Sequence, residues 1–235
     1  MAGPPDQKPT GTAPDATRLS LLDALRSGTK DGPDRFVAAY EPLLRAYLRA
    51  RWAGGRYAGL LEDGVQEALL DCLRPGGAME RYDPAGAARL RSYLYSVVRY
   101  TALRLEKRER RDARKPIDGV AESVPAREAR LSRVFDRAWA NLVLQRAARR
   151  MREDARGDEE AVRRWELLQL RFGEDLPIRD IATRWDVPAE KLHRAYARAR
   201  KEFEAALRAE LAEECPGIPP GELGRECEAL LELCA

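Results

Sequence analysis

The sequence predicts an all-α protein: two helical lobes, a helical bundle and a helix-turn-helix domain, joined by a linker. Three observations carry this. Apolar residues recur at spacings of three and four over long stretches, no segment shows the alternation of a strand, and an aperiodic stretch with two prolines and a glycine (RKPIDGVAESVPAR, 114–127) interrupts the helical texture near the middle. The 235 residues suffice for one large domain or two small ones. Hydrophobic residues make up 44 %, enough for real cores, and charged residues 34 %, which suits helices with wide solvated faces. The formal net charge of +3 does not announce a nucleic-acid binder, so any basic surface has to come from local segregation.

Taken in order, residues 1–17 are rich in Pro, Gly, Ala and Thr and are expected to be a disordered tail. Ser20 and Asp23 resemble a capping signal before the apolar turn Leu21, Leu22, Leu25. A helix over 34–52 follows from Phe36, Tyr40, Leu43, Leu44 and Tyr47, and Gly54-Gly55 break it. The next, 61–73, buries Val65, Ala68, Leu69 and Cys72 and stops before Pro75-Gly76-Gly77. A long helix over 88–113 carries the stripe Leu90, Leu94, Val97, Val98, Ala102, Leu105. After the linker, helical texture resumes near Glu128 with Leu131, Phe135, Ala138, Trp139 and Leu142, and again over 159–172 with Trp165, Leu168 and Leu170. Two short units, 178–185 and 189–211, precede a tail holding Pro216, Pro219 and Pro220 and a last helix near 223–233. The division expected is a tail (1–17), a first helical domain (18–113), a linker (114–128), a second helical domain (129–214) and a C-terminal extension (215–235).

The sharpest local signal is LPIRDIATRWDVPAEKLHRAYARARKEF, 176–203. Ile181, Ala182 and Trp185 form the inner face of a short helix, with Ala182 small where two helices cross. Asp186-Val187-Pro188 supplies a turn, and Pro188 fits the first turn of the following helix, where a missing N–H does no harm. Leu192, Tyr196, Ala199 and Phe203 then make one buried stripe, and Lys191, Arg194, Arg198 and Lys201 one outward cationic stripe. Residues 189–208 hold six basic and three acidic side chains. This is what a helix-turn-helix recognition helix needs: long cations for phosphates, and base contacts from its N-terminal half. Glu190 and His193 share that half; Glu190 suits the helix dipole and could also accept from a cytosine amino group. A solvated amphipathic helix is the competing reading. A second basic stretch, 99–115, holds eight basic and three acidic residues, with Tyr93, Tyr95 and Tyr100 beside it; cations track a backbone while aromatic faces stack on unpaired bases.

Residues 176–203 are similar, without a gap, to region 4 of sigma-70-family factors, especially the extracytoplasmic-function (ECF) group. Ile181-Ala182, Val187, Leu192, Arg198-Ala199-Arg200-Lys201 and Phe203 occupy matching positions, while Trp185, Asp186, Pro188 and Leu192 depart in residue type. The first lobe resembles region 2: RFVAAYEPLLRAYL (35–48) its opening helix, LEDGVQEALLDCL (61–73) the helix that grips the clamp helices of the RNA polymerase largest subunit, and 81–111 the helix that meets the downstream promoter element. The resemblance covers about 18–211. It implies an ECF-type sigma factor that binds core RNA polymerase through Asp63, Gln66 and Glu67. It implies a downstream-element reader formed by Arg91, Tyr93, Tyr95, Arg99, Tyr100 and Arg104, and an upstream-element reader formed by Glu190, Lys191, His193, Arg194, Arg198 and Lys201. Tyr100 stands where the family often has Asn. Promoter DNA and core polymerase are the expected partners, with an anti-sigma factor or other regulator as a further one. The alternative is a repressor or activator that uses the same helix-turn-helix without polymerase.

No apolar run marks residues 1–17 as a leader, and no stretch approaches the roughly 20 apolar residues that span a bilayer. A cytoplasmic, reducing setting with free thiols is therefore expected for Cys72, Cys215, Cys227 and Cys234. The spacing of the last three lacks a CxxC pair and His193 is the only histidine, so neither a metal site nor a cofactor is expected. Without a carboxylate cluster, metal-ligand set or phosphate-cradling glycine loop, the chain reads as a non-enzyme.

Overall fold

The apolar spacing carries directly into helices in a computed structural model, which describes residues 18–84, 89–112, 124–214 and 219–234. The expectations for residues 1–17, for 114–123 and for Cys215 lie outside these. Among the described residues there are helices and turns and no strand. The first group comprises α1 (Arg18–Arg26), α2 (Gly32–Trp52), α3 (Leu61–Leu73), the short α4 (Ala78–Arg81) and α5 (Leu90–Asp112). The second comprises α6 (Val124–Asp154), α7 (Glu159–Leu168), α8 (Ile178–Trp185), α9 (Ala189–Glu214) and α10 (Pro220–Cys234). Helix α2 takes Pro33 into its first turn and buries Phe36, Tyr40, Leu43, Leu44, Tyr47, Leu48 and Trp52 along one side. It ends where Gly54 adopts a left-handed backbone, φ +65°. Helix α5 buries Leu90, Leu94, Val98, Ala102 and Leu105, while Val97 is only half-buried. None of the described helices is long and apolar enough to cross a membrane.

Helix α6 departs most from the sequence reading. It starts at Val124 rather than near Glu128 and runs without a break to Asp154. Pro125 makes its start read as linker, yet a proline in the first turn removes an N–H that has no intrahelical partner anyway. Beyond Leu142 the stripe continues as Val143, Ala147 and Met151, spaced by four, but arginines between them hide it. The four-residue α4, closed by hydrogen bonds to the Gly77 and Ala78 carbonyls, was also not foreseen.

This long helix sets how the two groups meet. Leu131, Phe135, Trp139 and Val143 belong to the same buried core as the apolar side of α2, and that core continues through Ala147 and Met151 to Ala199, Ala206, Leu207 and Leu211 of α9. The two lobes share one core with α6 as its spine. A smaller cluster of Leu167, Ile181, Ala182 and Leu192 lies beneath the α8–α9 pair. Helix α10 adds Cys227 and Leu230 to the large core.

A polar knot closes the seam. Arg51 of α2 donates from Nε to Glu106 Oε1 (2.7 Å) and from Nη2 to Glu106 Oε2 (3.2 Å), and its Nη1 reaches Tyr47 Oη and Glu128 Oε1, both at 3.1 Å. Trp52 Nε1 donates to Glu106 Oε1 (2.9 Å). Arg51 and Glu106 are 6 % and 5 % exposed, so this is an ion pair taken out of water and satisfied on both sides. It joins α2, α5 and α6 at one point.

Candidate nucleic-acid interface

Helices α8 and α9 form the expected two-helix unit. Ile181, Ala182 and Leu192 are buried together, and Trp185 and Tyr196 pack at the margin of that cluster. The turn is closed by Val187 N–H donating to the Ala182 carbonyl (3.0 Å). Asp186 holds the left-handed position there, φ 53° and ψ 49°, where glycine commonly ends a helix. Aspartate tolerates this conformation better than most residues. Helix α9 continues past the expected Leu211 to Glu214, and its second half is gripped by α6. Its first half is left outward-facing: Glu190, Lys191, His193, Arg194, Arg198 and Lys201 are all exposed. Arg194 lies 3.4 Å from Glu190, and Arg198 Nε donates to Glu202 (3.1 Å), one turn away in each case. Both pairs lie within one helix, are more exposed on the arginine side than any ion pair between helices described below, and are worth little, so the cations remain available to a phosphate.

Behind this surface, Arg164 of α7 is buried and donates from Nε to Glu202 Oε2 (2.8 Å), which fixes α7 against α9. Asp158 caps α7 by accepting from Glu160 N–H (2.9 Å) and Ala161 N–H (3.2 Å). Neither residue was singled out from sequence. The Asp-x-Glu start of α7 was a legible capping signal; a buried arginine on an otherwise charged helix was not.

The α3–α5 surface divides the remaining candidates. Asp63 and Gln66 are exposed on α3. Glu67 instead turns toward α5, accepting from Arg104 (2.7 Å) and Arg108 (3.0 Å). Arg104 also donates to Asp71 (2.8 Å), so its guanidinium is engaged with α3. Of the three tyrosines, Tyr100 alone presents its ring to water, at 66 % exposure. Tyr93 is half-buried, packs on Tyr82 and donates its hydroxyl to the Ala78 carbonyl (3.0 Å). Tyr95 stands edge-on to Tyr47 and Phe135, inside the seam with α6. Packing thus holds two of the three tyrosine rings within the fold, and Tyr100 alone offers its face outward.

The seam also claims the cations beside them. Arg91 pairs with Asp136 (3.0 Å), and Arg99 Nε donates to Glu128 Oε2 (2.8 Å). Burial works against the Glu128 charge, but the hydrogen bonds from Arg99 and Arg51 outweigh it and hold the carboxyl below its ordinary value. Desolvation raises Tyr95, and pushes Tyr47 to about 12, so both hydroxyls stay protonated. The downstream candidates are therefore split: Tyr100 faces outward, whereas Arg91, Tyr93, Tyr95, Arg99 and Arg104 make contacts within the fold. Burial likewise raises the Cys72 thiol to about 12 and raises Cys227, so both behave as small apolar groups. Among the described residues no group of three or more His, Cys, Asp or Glu could hold a metal.

Comparison with known proteins places part of this arrangement. Residues 36–112, from the start of α2 to the end of α5, match the family model for sigma-70 region 2. No curated protein matches the chain significantly.

Proposed function

We propose that this chain is a sigma factor of the ECF type; the match of residues 36–112 to sigma-70 region 2, from a family that acts in RNA polymerase-directed transcription initiation, supports this. The observation that supports this most is the order of parts: a segment that matches region 2 followed, in the same chain, by a two-helix unit whose second helix exposes Lys191, Arg194, Arg198 and Lys201. In this reading α3 docks on the clamp helices of the largest polymerase subunit through Asp63 and Gln66, with Glu67 bracing α5 beside it. Helix α9 enters the major groove of the upstream element, His193 and Glu190 near its base-contacting half. Helix α5 offers Tyr100 to the downstream element; Arg91, Tyr95 and Arg99 join once α6 no longer covers them, and Tyr93 and Arg104 once they leave their partners around α4 and on α3. An anti-sigma factor or another regulator that stabilises the covered form fits the same scheme, and the site of action is the cytoplasm. The protein does no chemistry of its own; its work is to position polymerase and DNA.

The test is reconstituted transcription with core polymerase on a randomised promoter library, followed by sequencing of the transcripts. Initiation at defined sites that depends on the chain supports the proposal. Absence of initiation, together with duplex binding by the chain alone that is indifferent to Gln66→Ala, would replace it with a repressor or activator acting without polymerase.

A further inference from the structure

The C-terminal helix α10 does not belong to the segment matched by region 2 or to the two-helix unit, and it is acidic: four glutamates against one arginine over 220–234. Its apolar side, Cys227 and Leu230, is buried in the shared core against α6 and α9. Its acidic side reaches the first helical group. Glu226 Oε1 accepts from Arg89 Nη1 (2.7 Å), the residue just before α5, and the Leu233 carbonyl accepts from Arg137 of α6 (3.0 Å). A cleft of about 230 Å³ lies where α5, α6, α9 and α10 meet, lined among others by Arg89, Arg91, Trp139 and Leu230. Two arginines at the start of a helix whose far end carries a basic run are thus each held by a carboxylate from the second group: Arg89 by Glu226 and Arg91 by Asp136.

We propose that α10 is an acidic strap that clamps the start of α5 to α6 and α9, its Glu226 keeping Arg89 from the phosphates of nucleic acid beside the Arg91–Asp136 pair that α6 supplies. This rests on the reading of α5 as a DNA-facing helix. The strap competes with a polyanion for the Arg89 guanidinium; docking through Leu230 gives the Glu226 carboxylate a high local concentration, and a bound nucleic acid displaces it. Undocking of α10 removes both the covering charge and one of the contacts that hold the two helical groups together.

The experiment compares the full chain with Leu230→Glu, which expels the apolar anchor, and Glu226→Gln, which removes the covering charge and leaves the core intact. Binding of a fluorescein-labelled oligothymidine strand is followed by anisotropy against salt concentration, with circular dichroism to confirm helical content. The strap predicts about tenfold tighter binding by Leu230→Glu, an intermediate gain for Glu226→Gln, and a salt slope steeper by about 0.7 for each arginine freed. Should Leu230→Glu lose its helical content, Glu226→Gln carries the comparison. Equal affinities and slopes for the folded forms, or no binding by any of them, overturn the strap. If the variants bind more tightly but no form directs initiation with core polymerase, the strap stands and the sigma-factor reading falls.

Discussion

Glu128 shows how much one side chain can carry. It sits in the first turns of α6, yet its carboxylate accepts from Arg51 of α2 and Arg99 of α5, so it ties three helices. Its pKa is depressed from 4.5, so the stability it contributes is fully present above that value and is lost as pH falls through the depressed pKa. Glu210, whose carboxyl burial raises, acts in the opposite sense over the adjoining range above 4.5, which makes a difference measurement necessary. Glu128→Gln is expected to lower stability by about 1.5–3 kcal/mol at neutral pH, with the gap to wild type shrinking below pH 4.5 in urea denaturation. A gap that does not change with pH would mean that the charge is not what holds the seam. Asp186 makes a different single-residue case. Its left-handed backbone costs an L-residue about 1 kcal/mol that glycine does not bear. Asp186→Gly should raise the unfolding free energy by that amount, read as a higher urea midpoint without a change in m, and a drop would show that the carboxylate makes a compensating contact.

At the scale of elements, helix spacing is decided by small residues as much as by large ones. A Cβ at Gly64 of α3 would lie 2.6 Å from the buried Trp52 ring of α2, so glycine is there for close approach and not for backbone freedom. Gly64→Ala should destabilise by about 1–3 kcal/mol through overpacking, even though alanine is the better helix former. Calorimetry would show a lower Tm, and an unchanged Tm would mean that Trp52 can move aside. Helix α9 is built from two unlike halves: the second is locked by α6, and the first projects its cations into solvent. If Arg194 reaches a base edge, Arg194→Ala costs about 1–3 kcal/mol on the preferred sequence only. Lys201→Ala should weaken all sequences alike and flatten the salt slope by about 0.9. Identical slopes for wild type and Lys201→Ala would remove the lysine from the phosphate contacts.

For the whole molecule, the shared core matters more than the lobes. Because Phe135 and Trp139 pack with α2 while Met151 and Leu211 continue the same cluster, neither helical group buries its apolar face alone. Urea unfolding followed by far- and near-ultraviolet circular dichroism should therefore give one coincident transition. Two separated transitions would mean that the lobes are independently stable and the seam weak. The same seam covers much of the α5 surface proposed for promoter contact, so access to DNA and the association of the two groups become one equilibrium. Core polymerase, in the proposed role, acts on that equilibrium by binding the open form.

The sequence by itself determined the all-helical class, most helix positions and the two-helix unit, because these follow from local periodicity and turn chemistry: the stripe of α2, the break at Gly54-Gly55, the Asp186-Val187-Pro188 turn. Each is a property of neighbours in the chain. It also marked the exposed stripe Lys191, Arg194, Arg198 and Lys201, since spacing alone sets which face of a helix a residue occupies. Only the tertiary structure decided that the lobes share a core, that Tyr93 and Tyr95 are packed while Tyr100 is free, and that Arg51 and Glu106 form a buried pair. It alone brought Glu226 of α10 to Arg89, across 137 positions. A charged residue looks the same in sequence whether it faces water or a distant carboxylate, because burial and pairing depend on which helices meet, and that is settled by the summed packing of the whole chain.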